Sequence, residues 1–220
     1  LVNFLFSGST ILFTPYILAR TGSEATLGTL LSVLNLGGIL GGVIFGIWGG
    51  TRPRMHTILP GIAIGSFVLA VVGLNLGAVP LGIAMFLMML PMPMINATSM
   101  SLMQAKVPPD IQGRVFASMG QISILLIPLS YLVVGPLADT VFEPAVGQAG
   151  WEQVAPLVGN TAGAGMGLIM VLAGSVLPVA TLLVYAIPRV RHVEAEMPDY
   201  VPEAAGDKAG EATGLAAALE

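Results

Sequence analysis

Six long apolar runs constrain the fold of this chain more than any other feature of its sequence. They lie near residues 1–19, 27–48, 58–76, 79–100, 115–138 and 164–187. Each is close to the roughly twenty residues that an α-helix needs to cross the hydrocarbon core of a bilayer. Buried β-strands would be shorter, and a helix satisfies its own backbone polar groups inside lipid. The runs predict an all-α membrane domain of six transmembrane helices over residues 1–190.

The composition favours a chain that is surrounded mostly by lipid. Of its 220 residues, 55% are hydrophobic and only 9% are charged, whereas a soluble domain carries about 25% charged residues. There is no cysteine, which excludes disulfides and thiolate metal sites. Residues 191–220 differ from the rest, because they are rich in acidic residues, Ala, Gly and Pro. They predict a disordered cytoplasmic tail.

The basic residues indicate which ends of the helices face the cytoplasm. If the N-terminus is inside, seven of the eight Lys and Arg residues fall on the inner side and only Arg20 falls outside. This asymmetry is typical of the positive-inside rule. It predicts a multi-pass protein of the cell membrane with both termini in the cytoplasm. The seven inner residues are Arg52, Arg54, Lys106, Arg114, Arg189, Arg191 and Lys208.

Two stripes of side chains predict a cavity inside the bundle. The first helix carries neutral polar residues, and the fourth carries three methionines and an asparagine, at spacings of three and four. This spacing places side chains on one helical face. An amide there rarely faces lipid, and methionine adapts to varied apolar partners. Ordinary packing between helices is the alternative for each stripe. The predicted cavity residues are Asn3, Ser7, Thr10, Thr14, Met85, Met89, Met92 and Asn96.

Glycines recur every four residues in the second helix, at Gly38, Gly42, Gly46 and Gly50. Such a row lies on one face, where two helix backbones can approach closely. Static packing is one interpretation of this row. A smooth surface along which one bundle slides against another is the second interpretation. We therefore take Gly38, Gly42 and Gly46 as candidate helix-interface residues, and add Gln121 on the fifth helix as a polar interface candidate.

Motifs of catalysis are missing from the sequence. None of the six runs has a charged residue or a histidine at its middle, so this segment offers no buried carboxylate for proton relay. His56 and His192 lie at a helix boundary and in the tail. The metalloprotease, serine-hydrolase and P-loop signatures are absent. We expect no enzyme activity, no metal, no cofactor and no nucleic-acid partner.

A polar patch, "QAKVPPDIQGRVFA", separates the fourth and fifth helices. Pro108 and Pro109 prevent the chain from continuing as one helix. Asp110 is predicted to cap the next turn, and Arg114 to anchor the fifth helix at the lipid headgroups. A simple solvated connector remains the alternative.

Taken together, these features resemble one half of a major facilitator superfamily transporter. The segments "MQAKVPPDIQGRVFAS" and "PLSYLVVGPLAD" are similar to the C-terminal half of its macrolide-efflux-type branch. The resemblance covers residues 1–190 and implies two three-helix repeats, with substrate bound between two halves near the bilayer midplane. It also implies that the partner N-terminal six-helix half is absent from this chain. If transport is coupled to an ion, the resemblance implies that the ion is a proton and that the coupling residues lie mainly in that N-terminal half.

The turn "GIWGGTRPRM" stands where this superfamily has Gly-x-x-x-Asp-Arg-x-Gly-Arg. Gly46 and Arg54 match that pattern, while Gly50 and Pro53 replace its acid and its second glycine. The resemblance implies that the first and fourth helices line the cavity, and that the second and fifth meet the opposite half. The predicted cytoplasmic gate consists of Arg52, Arg54, Asp110 and Arg114.

The expected function is export of small amphipathic or hydrophobic compounds by alternating access. Two alternatives stay open at this point. One is a membrane-embedded anchoring or interaction module that does not transport, and the other is an importer or lipid flippase of the same fold.

Overall fold

The computed structural model describes residues 2–191 and Tyr200, and this part of the chain is helical without strands. It contains six helical spans that are long and apolar enough to cross a membrane, which confirms the predicted number and indicates a membrane protein. The predicted disordered tail lies, apart from Arg191 and Tyr200, outside the described residues. The first to sixth spans are Val2–Thr21, Glu24–Trp48, Met55–Val72, Ala78–Lys106, Pro109–Ala145 and Ala164–Ala186.

Some of the spans consist of more than one helix. A π-helical turn, Ala138–Phe142, connects two helices of the fifth span, and a 3₁₀ turn, Trp151–Gln153, lies in the loop before the sixth. The helices are α1 (Val2–Ile11), α2 (Phe13–Thr21), α3 (Glu24–Trp48), α4 (Met55–Val72), α5 (Ala78–Met89), α6 (Met92–Lys106), α7 (Pro109–Leu137), α8 (Glu143–Ala145), α9 (Ala155–Val158), α10 (Ala164–Ala186) and α11 (Pro188–Arg191).

Prolines account for the breaks in the first and fourth spans. A proline has no N–H to donate to the carbonyl four residues before it. Pro15 therefore leaves the carbonyl of Ile11 without its helical partner, and α1 ends at Ile11. Pro93 does the same to Met89, where α5 ends. The first and fourth spans are consequently both discontinuous near their middles.

The polar patch between the fourth and fifth spans is more helical than the sequence predicts. The fifth span begins at Pro109 rather than near residue 115, and only Val107 and Pro108 separate it from α6. Pro108 occupies the N-cap position without a side-chain hydrogen bond, so the prediction that Asp110 is the cap is corrected. Asp110 lies within the first turn instead.

Gln112 holds this corner together. Its Nε2 donates to the carbonyl oxygens of Gln104 at 3.0 Å and Val107 at 2.8 Å. These carbonyls belong to the last turn of the fourth span and its cap, where the helix has no donors of its own. A side chain of the fifth span thus closes the end of the fourth span.

Three pairs of spans that are not neighbours in sequence pack against each other, and the third span also packs against the fourth. The third packs against the sixth, the second against the fourth, and the first against the fifth. If the first span is exchanged with the fourth, the second with the fifth and the third with the sixth, these three non-neighbouring pairs become one another. The main core lies where the pairs meet, and its fully buried side chains include Tyr16, Leu69, Met85, Met88 and Met170.

Glycines let the second and fourth spans approach backbone to backbone. A Cβ atom on Gly37 would overlap the carbonyl group of Phe86, and one on Gly41 would overlap that of Leu90. Only hydrogen fits at these two positions of α3. Close contact of this kind replaces hydrophobic burial as the source of helix association in lipid.

The same contact joins the third and sixth spans. A Cβ atom on Gly73 would overlap the carbonyl oxygen of Gly167, and one on Gly167 would come within 2.5 Å of the carbonyl oxygen of Gly73. Gly174, further along α10, is equally close to the backbone of Ala70. Small residues therefore define both of these helix pairs.

The predicted glycine row lies beside this contact rather than in it. A Cβ atom on Gly38 would lie 3.5 Å from the side chain of Met89, and one on Gly42 would lie 3.8 Å from that of Pro93, both at ordinary contact distance. A Cβ atom on Gly46 would meet nothing within 4 Å. Within this chain, the tight contact belongs to the adjacent row, so the interface role of Gly38, Gly42 and Gly46 stays a prediction about another partner.

Arg20 connects the loop after the third span to the loop before the sixth span, at the end of the bundle opposite the basic turns. Its Nη1 donates to Asn75 Oδ1 at 2.5 Å, its Nη2 donates to the carbonyl oxygen of Val158, and its guanidinium lies 4.9 Å from the ring centroid of Tyr16. The loop before the sixth span adds a small core around Trp151, whose Nε1 donates to the carbonyl oxygen of Gly159 at 3.0 Å.

Alanine at Gly41 tests the backbone contact. We expect Gly41→Ala to destabilise the protein by about 1–3 kcal/mol, because the added methyl group forces the second and fourth spans apart. Gly28, on the same helix, has nothing within 4 Å of a built Cβ atom, so Gly28→Ala is the matched control. Thermal unfolding in detergent measures both. Equal melting temperatures for the two variants would contradict the contact.

Candidate functional site: a neutral polar cavity

A cavity of about 490 Å³ lies between the first, third, fourth and fifth spans. Three predicted cavity residues, Asn3, Met92 and Asn96, lie on its wall. The structure therefore brings the stripe of the first span and the stripe of the fourth span to one place. We refer to it as the Asn3–Asn96 cavity. Its other lining residues are Val2, Phe6, Ile62, Ser66, Ile95, Ser99 and Leu126.

Asn3 is positioned by a hydrogen bond across two spans. Its Nδ2 donates to Ser123 Oγ on α7 at 3.2 Å. Because α1 and α7 pack against each other, this bond holds the amide at the edge of the cavity. Asn3 thereby links the first and fifth spans as well as lining the site.

Asn96 is positioned by the proline break in the fourth span. It lies four residues after Met92, the first residue of α6. Ser99 follows three residues later, so both side chains occupy one face of α6. Asn96 is exposed and Ser99 half-buried, which leaves amide and hydroxyl groups available to a bound molecule.

Two hydroxyl residues of the site escaped the sequence prediction. Ser99 continues the helical spacing from Asn96, and following that stripe one turn further would have found it. Ser66, on α4, is buried with 2% of its surface exposed. It belongs to no polar stripe of its own, so only the packing of the third span against the fourth reveals it.

The remaining polar residues of the first span do not line the cavity. Ser7 and Thr10 are half-buried, and Thr10 Oγ1 donates to the carbonyl oxygen of Ser7 at 2.9 Å. Thr14 is exposed and lies in α2, beyond the helix break at Leu12. The break interrupts the regular helical face on which the stripe was predicted.

Two methionines of the fourth span also depart from the prediction. Met85 is completely buried in the main core, so its side chain fills the interior instead of facing the cavity. Met89 is half-buried against the same core, close to Gly38. Both belong to α5, before the break, whereas Met92 and Asn96 belong to α6.

The predicted gate residues lie on two separate elements. Arg52 and Arg54 border a second cavity of about 330 Å³ between the second and fourth spans. Asp110 and Arg114 are exposed on the first turns of α7. Gln121 is exposed on the same helix. Joint action of these residues at a gate stays a prediction.

The lining of the Asn3–Asn96 cavity is neutral. The described part of the chain supplies two amides, two hydroxyls and apolar side chains to its wall, and no charged residue. Amides both donate and accept hydrogen bonds, so this wall suits a molecule that has apolar bulk and a few neutral polar groups. Among the described residues, no group of three or more His, Asp or Glu could hold a metal ion.

Comparison with known proteins adds no relative. No family model, no curated protein and no solved structure matches this chain significantly.

Single cysteines can test whether water enters the cavity, because the natural chain has none. We expect Asn96→Cys to react with a small water-soluble thiol reagent in membranes, since its position is exposed on a polar wall. Met85→Cys should stay unreactive until the protein is denatured, because that position is fully buried. Leu183→Cys, exposed on α10 of the sixth span, controls for contact with lipid. Equal labelling at positions 96 and 183 would contradict a hydrated cavity.

Proposed function

We propose that this chain is one six-helix half of a secondary transporter of the major facilitator type, and that it exports small amphipathic or hydrophobic compounds by alternating access. The observation that carries the proposal is the Asn3–Asn96 cavity. It gathers neutral polar groups from the first and fourth spans, both of which are broken by proline. Discontinuous helices beside a cavity are the usual place for substrate binding in transporters.

The pairing of the spans supports an internal repeat. Two three-helix units related by a twofold axis in the membrane place the first span in correspondence with the fourth, the second with the fifth and the third with the sixth. Under this exchange, the pair of first and fifth spans becomes the pair of fourth and second, and the pair of third and sixth is unchanged. All three pairs are present in the chain.

The high exposure of the second and fifth spans supports an interface with a second six-helix half. The second and fifth spans are the least buried, with 22% and 17% of their most apolar segments inside the protein, against 33–44% for the other four. In our proposal these two spans meet the N-terminal half. The Asn3–Asn96 cavity then faces that half, which carries the proton-coupling carboxylate that this cavity lacks.

The charge distribution supports the orientation. Arg52, Arg54, Lys106 and Arg114 lie at one end of the spans, and Glu24 and Glu152 at the other. We propose that the basic end is cytoplasmic, with Arg52, Arg54, Asp110 and Arg114 at the gate. Cargo and coupling ion drive the cycle by stabilising the inward- and outward-open states differently.

Substitution of Asn96 tests the site in the complete transporter. Asn96→Leu should reduce efflux of a fluorescent amphipathic substrate about tenfold, the effect of losing roughly 1.4 kcal/mol of transition-state stabilisation. Asn35 is the matched control, because it is an exposed amide on α3 that bonds the carbonyl of Leu31 in its own helix and lies outside the cavity. Asn35→Leu should leave efflux unchanged. Equal transport by the two variants at equal expression would remove Asn96 from the site.

A further inference from the structure

The second cavity, between the ends of the second and fourth spans, contains two of the proposed gate arginines and shares no lining residue with the Asn3–Asn96 cavity. We call it the Arg52–Arg54 cavity. The described residues that line it supply two guanidinium groups and three hydroxyls. The lining residues are Phe45, Gly46, Gly49, Thr51, Arg52, Arg54, Ala97, Thr98 and Ser101.

One of the hydroxyls lacks a partner. Thr98 has 5% of its surface exposed, and its Oγ1 is buried without a hydrogen-bond partner among the described residues. A hydroxyl on a helix usually bonds the carbonyl four residues earlier, as Thr181 and Ser175 do on α10. A buried polar group left unpaired is destabilising by about 1–3 kcal/mol. A bound acceptor oxygen would relieve this.

The loop that supplies the arginines is held in place. Gly49 and Gly50 adopt left-handed backbone conformations with φ of 75° and 79°, which reverse the chain after α3. The backbone N–H of Thr51 then donates to Thr57 Oγ1 at 2.9 Å, and the two threonine hydroxyls lie 2.5 Å apart. The turn is thereby fixed against the start of α4, with Arg52 and Arg54 on the cavity wall.

We propose that the Arg52–Arg54 cavity binds a phosphate group. Arginine donors match the oxygens of a phosphate in number and direction, and two hydroxyl residues of the fourth span, Thr98 and Ser101, belong to the same lining. Such a group can arrive on a phospholipid headgroup or on a free phosphorylated solute. The two sources share this chemistry, and the depth of the cavity favours the lipid.

Ser101 lies five residues before the end of α6, about 7.5 Å along the helix axis at 1.5 Å per residue. This depth agrees with the headgroup layer of a bilayer. Phe45 also borders an apolar groove of about 400 Å³, whose wall includes the exposed Ile44, Trp48 and Ile64. An acyl chain of the same lipid would lie in that groove, and basic pockets between helices commonly hold anionic headgroups.

Trp48 provides a natural reporter beside the site, since the chain has only one other tryptophan, the buried Trp151. The Trp151→Phe protein is placed in phosphatidylcholine vesicles that contain brominated phosphatidylglycerol or, at equal mole fraction, brominated phosphatidylcholine. We expect the anionic lipid to quench Trp48 fluorescence several-fold more effectively. The double variant Arg52→Gln, Arg54→Gln should abolish this preference, whereas Arg114→Gln, at the same membrane surface but outside the cavity, should keep it.

Thr98→Val distinguishes a ligand site from general attraction of anionic lipid. It should lower the preference about fivefold, the loss of one hydrogen bond of roughly 1 kcal/mol, while the melting temperature stays equal or rises because no buried hydroxyl is left unpaired. If Trp151→Phe does not fold, phospholipid retained by the natural chain and its Thr98 and arginine variants is measured by native mass spectrometry.

Inorganic phosphate and glycerol 3-phosphate form the second arm. If either binds the detergent-solubilised protein and removes the preference for phosphatidylglycerol, the phosphate group comes from a free solute. If neither binds and the preference persists, it comes from the lipid. The proposal would be overturned if neither solute binds and the protein shows no preference for phosphatidylglycerol. It would also be overturned if the preference survives the double arginine variant or is unaltered by Thr98→Val.

Discussion

Direct contact between a glycine and the backbone of a neighbouring helix is the interaction on which this structure depends. Lipid tails are as apolar as the side chains, so helices gain little by burying leucine against leucine. Gly37 and Gly41 instead place α3 against the carbonyls of Phe86 and Leu90. Phe86 lies in the last turn of α5, and Leu90 is the C-cap residue next to the proline break. The contact therefore holds α5 against α3 up to the proline break of the fourth span.

The break in the fourth span gives its two helices different roles. The break separates two methionine-containing helices with different surroundings: Met85 of α5 fills the core, while Met92 of α6 lines the Asn3–Asn96 cavity. In the first span the break near Leu12 similarly separates Asn3, at the cavity, from the exposed Thr14. The prolines thus confine the polar cavity to one end of each broken span.

The number and approximate bounds of the spans could be predicted from the sequence, because hydrocarbon thickness sets the length of each apolar run. The glycine contact could not be placed, because two rows, one starting at Gly37 and one at Gly38, have the same spacing of four. Only the position of α5 selects between them. The prolines can be read from the sequence. Which residues of a predicted stripe then lie away from the cavity, on the other side of a helix break, cannot. Thr98 carries no sequence signal, since its interest lies in the partner that it lacks.

The central claim is that the chain crosses a membrane six times with its basic turns in the cytoplasm. Gln104 and Gln148 are both exposed and lie at opposite ends of the spans. In intact cells, a membrane-impermeant thiol reagent should label Gln148→Cys and leave Gln104→Cys unlabelled until the cells are permeabilised. Labelling of both positions from outside, or of Gln104→Cys alone, would contradict the account.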